Sequence, residues 1–150
     1  MITIRQAADR DAATVALITA QAYQHYVPRL GREPSPMVTD YSGPVAAGQA
    51  SVAEDGGQAA GIIVLIPYPD HLLVENVAVA PDAQGRGVGR ELLAWAERVA
   101  ADLGYGEVRL YTHEAMTENI AYYPRRGYME THRGGQDGYR RVFFTKRLGG

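Results

Sequence analysis

The chain has no cysteine, which excludes disulfides, thiolate metal sites and a sulfur nucleophile. It has one lysine, Lys146, against fourteen arginines, so a phosphate loop of the G-x-x-x-x-G-K-[ST] kind, which demands a lysine, has nowhere to sit. Three serines, none within G-x-S-x-G, and four scattered histidines without H-E-x-x-H spacing leave no expected serine nucleophile and no expected metal. Long apolar runs are also missing. The longest, Ile62 to Ile66, is strand-length, and no apolar stretch opens the chain, so neither a leader peptide nor a membrane partner is expected and the cytoplasm is the expected location. The net charge of −2 provides no general attraction to nucleic acid, which is not expected as a partner. Phenylalanine is scarce, with two residues against ten tyrosines, and tyrosine combines apolar area with a hydroxyl that suits the edges of polar pockets.

What is present is a chain of 150 residues, expected to form one domain over 1–150 and to bury close to 70% of its unfolded surface. Ile2 to Gln6 alternates as a half-buried strand. Asp9 or Asp11 is positioned to cap a helix whose Val15, Ile18 and Ala22 share a face. Prolines and glycines break the pattern from Tyr23 to Gly43 into two short helical pieces and a loop. A hairpin is expected from Ala50 to Glu54 and Ala59 to Pro67 around Asp55-Gly56-Gly57, followed by a strand from Leu72 to Val79. A helix from about Gly87 to Leu103 repeats Val88, Leu92, Ala96, Val99 and Leu103 at helical spacing and is stopped by Gly104. After it come a strand from Glu107 to Thr112, a short helix capped by Thr117, and a hairpin of Met129 to Arg133 with Tyr139 to Arg147, joined through Gly134, Gly135 and Gly138. This order implies a mixed sheet with helices on both faces.

The most informative segment joins the strand ending at Val79 to the following helix through Gln84-Gly85-Arg86-Gly87-Val88-Gly89-Arg90. A helix N-terminus presents unpaired N–H groups and partial positive charge, and glycines there let a pyrophosphate reach bare backbone. The two-and-two spacing of the glycines does not fit the dinucleotide fingerprint G-x-G-x-x-G.

The segment does match Gln/Arg-x-x-Gly-x-Gly/Ala after an apolar strand, and with it the chain resembles the GNAT acyltransferases. Asn119, and Tyr123 four residues before Gly127-Tyr128, resemble that family's second motif. The resemblance implies an α/β fold with a mostly antiparallel sheet of six or seven strands, and acetyl-CoA as cofactor. It implies that Gln84, Gly85, Arg86, Gly87, Val88, Gly89 and Arg90 hold the diphosphate. It further implies that Val77, Ala78 and Val79 run beside the pantetheine and that Asn119 and Tyr123 contact the cofactor.

The activity so implied is N-acetylation of a primary amine, expected to belong to a small molecule, by direct attack in a ternary complex, since no cysteine can carry the acyl group. Tyr123 is the implied acid, because a phenol of pKa about 10 can protonate a thiolate of pKa about 8.5. Glu75 is the candidate base, with His113 in reserve. Pro124 lacks an N–H and should end the helix just after Tyr123. Carbonyl polarisation would come from a backbone N–H exposed by a break within Val77 to Val79. Tyr23, Tyr26, Arg29, Tyr41 and His113 are the candidate acceptor-binding residues, since irregular loops on a rigid scaffold tend to carry specificity. A second copy of the chain is a candidate partner. Two other readings stay open, a non-catalytic acyl-CoA sensor and an acetyltransferase of protein N-termini or lysines.

Overall fold

A computed structural model describes residues 1–136 and 138–149. One seven-stranded sheet runs through it, built from β1 (Ile2–Gln6), β2 (Ala50–Asp55), β3 (Gln58–Pro67), β4 (Leu72–Val79), β5 (Glu107–His113), β6 (Met129–Gln136) and β7 (Tyr139–Arg147). The strand order is β1-β2-β3-β4-β5-β7-β6, and β4 and β5 are the one parallel pair. Helices α1 (Ala12–Tyr23), α2 (Val27–Leu30), α3 (Ser35–Val38), α4 (Ser42–Ala46), α5 (Val88–Asp102) and α6 (Thr117–Tyr122) flank it. Among the described residues no helix is long and apolar enough to cross a membrane.

β3 is covered on both faces, and its Ile62, Ile63 and Val64 are fully buried, as an uninterrupted apolar run requires. The β2–β3 hairpin turns on Gly56 and Gly57, at φ 62° and 83°, a conformation that a two-residue hairpin loop demands and that glycine adopts freely. The two main helices lie on opposite faces. A Cβ on Gly61 of β3 would lie 2.8 Å from Val88 and 3.0 Å from Leu92, so α5 sits against bare backbone there. On the other face, Thr19 of α1 meets Asn76 of β4, the residue registered with Val64. The buried stripe of α5 is Val88, Leu92, Leu93, Ala96 and Ala100 rather than one running through Leu103, which is exposed beyond the helix end.

Three local expectations are corrected. Asp11 precedes α1 without capping it, because its carboxylate is taken by the Ala8 N–H at 2.7 Å and by two bonds from Arg5. Thr117 is the first residue of α6 rather than its cap, and its hydroxyl donates to Glu118. β6 continues through Gly134 and Gly135, whose pairing with Arg141 and Arg140 of β7 supplies the order that their own flexibility withholds.

Two irregularities shape the centre of the sheet. Val64 pairs with Asn76 but Leu65 pairs with Val74, so Glu75 is an extra residue, a β-bulge in β4. The β4–β5 ladder contains only Leu72 with Val108, Leu73 with Arg109 and Val74 with Leu110. Beyond Val74 and Leu110 the two strands no longer pair, although β4 continues to Val79 and β5 to His113. A wedge opens between them just after the bulge.

Candidate functional site

The wedge leads into a groove of about 810 Å³. Val77, Ala78 and Val79 form one wall, and the turn from Gln84 to Arg90 forms its floor. Gly85 and Gly87 adopt φ 84° and 83°, and Gly87 is the N-cap of α5, so the helix starts directly at the groove with its first N–H groups toward it. A Cβ at Gly85 would meet no atom within 4 Å, which leaves room for a ligand against the backbone. Arg86 leans toward Asp55, 3.4 Å away, while still lining the groove. The opposite wall holds Asn119, Tyr122 and Tyr123. Asn119 turns its amide nitrogen inward to Thr112 Oγ1 at 3.1 Å.

Past Tyr23, Val77 and Tyr123, the groove continues into a smaller, partly open cavity of about 40 Å³. Glu75, Asn76, Tyr111, His113 and Arg141 line it, together with Pro34, Ser35 and Pro36. The chain just before this segment is fastened by the Tyr139 hydroxyl, which donates to the Glu33 carbonyl at 2.9 Å, and by Arg32 stacked 3.9 Å over the Tyr139 ring.

Tyr123 stands at the junction of groove and cavity. Pro124 ends α6 and opens a 3-10 turn over Pro124–Arg126, while the Tyr123 N–H still bonds to the Asn119 carbonyl, so the ring stays aimed inward between Tyr128 and Phe144. It is 7% exposed, its hydroxyl has no hydrogen-bond partner among the described residues, and burial pushes its pKa well above the usual phenol range. Glu75, at the bulge, is half-buried. Desolvation raises its pKa, and nearby Arg141 and Tyr111 moderate the rise. The break in β4 therefore lies at Glu75, upstream of the expected Val77 to Val79.

His113 lines the cavity, where its Nδ1 accepts the Ala115 N–H at 3.0 Å, so the neutral ring carries its proton on Nε2, and burial lowers its pKa. Tyr23 lines both spaces and donates to the Val77 carbonyl at 3.3 Å. The other three acceptor candidates lie elsewhere. Tyr26 faces the groove, its pKa raised to about 12 by burial. Arg29 is exposed and held by Glu118. Tyr41 is buried, donating to the Pro36 carbonyl and accepting from Asn76. Arg141, which the sequence does not single out, stands in β7 opposite His113 and lines the cavity, a relation that strand alternation shows once the register is known.

A seven-stranded sheet split after a central bulge, with a glycine-lined helix N-terminus at the end of the wedge, is the frame on which groove and cavity are built. The chain belongs to the acetyltransferase (GNAT) family, whose model matches residues 14–128. Acetyl-CoA is the co-substrate of this family. The chain is 30% identical to N-acetyltransferase family 8 member 2 of Rattus norvegicus over 109 residues, covering 69% of this chain and 46% of that protein. It is 32% identical to N-alpha-acetyltransferase 80 of Mus musculus over 94 residues, covering 63% and 26%. The chain thus spans less than half the length of these curated relatives. The PaiA N-acetyltransferase of Thermoplasma acidophilum, solved with coenzyme A, shares the fold with a TM-score of 0.80 at 17% identity, over 99% of both chains.

Proposed function

We propose that this chain acetylates the primary amine of a small molecule by direct transfer from acetyl-CoA, with Tyr123 as acid and Glu75 as base. The observation that carries this reading is one cavity with Tyr123 at its groove end and Glu75 at the bulge. Its small volume favours a small acceptor over a protein chain.

The residues fit the cofactor. Gln84 to Arg90 would hold the diphosphate on backbone N–H groups, and the edge of β4 beyond Val74 has the unpaired peptide groups that an extended amide chain can bond. Bound acetyl-CoA supplies an activated thioester. Glu75, with its pKa raised by burial, removes the amine proton and is a stronger base than a solvated carboxylate. Tyr123 keeps its proton at Oη under all ordinary conditions and delivers it to the departing sulfur. Backbone N–H groups beside the bulge would stabilise negative charge on the thioester oxygen as the amine adds to the carbonyl carbon, before loss of the C–S bond releases the thiolate that Tyr123 protonates.

Purified protein, acetyl-CoA and a panel of small amines test the reading through release of free thiol and the mass of the acetylated product. Tyr123→Phe should slow turnover while leaving coenzyme A affinity intact. Transfer to protein N-termini but to no small amine would overturn the choice of acceptor.

A further inference from the structure

The groove carries more positive charge than a diphosphate answers. Arg86, Arg90 and Arg126 line it, and the one carboxylate among its lining residues, Glu118, is already held by Arg29 at 2.6 and 3.1 Å. Arg86 leans on Asp55 from beside the glycine turn. Arg90 folds back over the turn itself, its Nη2 3.3 Å from where a Cβ on Gly87 would stand. These two cations, with the backbone N–H groups at the start of α5, belong to the diphosphate.

Arg126 stands apart, on the opposite wall. It ends the turn after α6, where its N–H bonds to the Tyr123 carbonyl at 2.9 Å and Gly127, at φ 93°, reverses the chain. Its guanidinium lies 5.0 Å from the centre of the Tyr122 ring, whose hydroxyl is 3.6 Å from where a Cβ on Gly89 would be. The Arg126 Nε is buried with no hydrogen-bond partner among the described residues, and no described carboxylate pairs with the side chain. Arg5, Arg29, Arg109, Arg133 and Arg140, by contrast, each meet a carboxylate at 2.6–3.1 Å. A buried donor on a permanent cation is costly to leave unanswered, so this guanidinium suits an anion that the ligand brings with it.

We propose that Arg126 binds the 3′-phosphate of coenzyme A and so makes the protein discriminate coenzyme A from its dephosphorylated form. The assignment rests on the groove being the coenzyme A site. Its scale agrees with the ligand: one ribose separates the 3′-phosphate from the diphosphate, and one tyrosine ring separates Arg126 from the turn. The 3′-phosphate is a monoester carrying about two negative charges at pH 7, and a planar guanidinium can pair with it through parallel N–H groups.

Calorimetry on the whole chain, with no acceptor present, compares coenzyme A with dephospho-coenzyme A. The wild type should bind coenzyme A at least about tenfold more tightly, since the difference is a charge-assisted hydrogen-bonded pair. In Arg126→Gln that ratio should fall toward unity through loss of coenzyme A affinity alone, and Arg126→Lys should keep part of it. Arg90→Gln should weaken both ligands alike, because both carry the diphosphate. Each ratio is taken within one preparation, so a loss of folded protein cancels. Equal affinity of the wild type for the two ligands, or equal weakening of both by Arg126→Gln, overturns the assignment and leaves the coenzyme A site standing. Failure of the wild type to bind either ligand overturns both.

Discussion

Arg29 on α2 meets Glu118 on α6 through two short bonds, Nη1 to Oε1 at 2.6 Å and Nη2 to Oε2 at 3.1 Å, and so ties the irregular segment after α1 to the far wall of the groove. The Arg29 bonds, with a backbone contribution, hold the Glu118 pKa down to about 2. A carboxylate with a depressed folded pKa contributes its full effect above its ordinary value near 4.5 and loses it as pH falls toward 2. Both groups are exposed, so the effect is local. Glu118→Gln should increase deuterium exchange over residues 24–31 at pH 7 with a nearly unchanged melting temperature, and the difference in exchange between wild type and variant should vanish near pH 2.

Glu75 titrates with the opposite sign. Its folded pKa is raised by desolvation, so ionising it in the fold is unfavourable: the neutral form's advantage holds below the ordinary value near 4.5 and is lost as pH rises through the folded pKa. Glu75→Gln should therefore raise the melting temperature at neutral pH, and that gain should fade as pH is lowered toward 4.5. If Glu75 is the base, the same variant removes the acid limb of the kcat/KM profile, which in the wild type should fall above pH 4.5.

Tyr123→Phe removes a hydroxyl that no described residue bonds, so the fold should not register its loss. Loss of a general acid costs about 10²–10⁴ in rate. Stopped-flow or steady-state assays should show kcat reduced on that scale, with the coenzyme A dissociation constant and the melting temperature within error of wild type.

The glycines of the turn make separable predictions. Gly87 needs φ 83°, and an alanine there pays about 1–2 kcal/mol or pulls the turn out of shape. Gly87→Ala should weaken coenzyme A binding about five- to thirtyfold by calorimetry. Gly89 has no positive φ, and an added Cβ would meet only ordinary contacts at 3.6 Å from Tyr122 and Val79, so Gly89→Ala should fold normally. Any affinity it loses comes from contact with the ligand itself.

Gly61→Ala drives a methyl to within 2.8 Å of Val88 and 3.0 Å of both Leu92 and the Ala78 carbonyl. Overpacking of this kind costs about 1–3 kcal/mol. Differential scanning calorimetry should show a drop of several degrees, about 2–4 °C per kcal/mol at this size.

Much of this layout is legible in the residues. The alternation of β4, the two-residue glycine hairpin and the Gln84 to Arg90 turn are local signals, and local chemistry produced them. What is hidden depends on partners distant in sequence. One extra residue in a ladder leaves no compositional trace, so the bulge at Glu75 emerges only from the register of β3. Tyr41 and Arg29 look like loop-borne recognition residues, yet Asn76 and Glu118, 35 and 89 residues away, claim them. Asp11 looks like a cap until Arg5 reaches it across the first turn. Arg141 carries no local signal, and only the pairing of β7 with β5 brings it beside His113.

The three-pair seam between β4 and β5 has a mechanical consequence. Beyond Val74 the sheet is two leaves of a book joined along a short spine, and β1 to β3 communicate with β7 and β6 through that spine and the packed helices. A molecule lodged in the wedge is a binding agent in the literal sense, bonding one leaf and wedging the other. Ligand at a hundred times its dissociation constant stabilises a protein by about 2.7 kcal/mol through mass action alone. Here that gain should be concentrated at the spine, slowing exchange of the β5 amides near Leu110 more than those of β1.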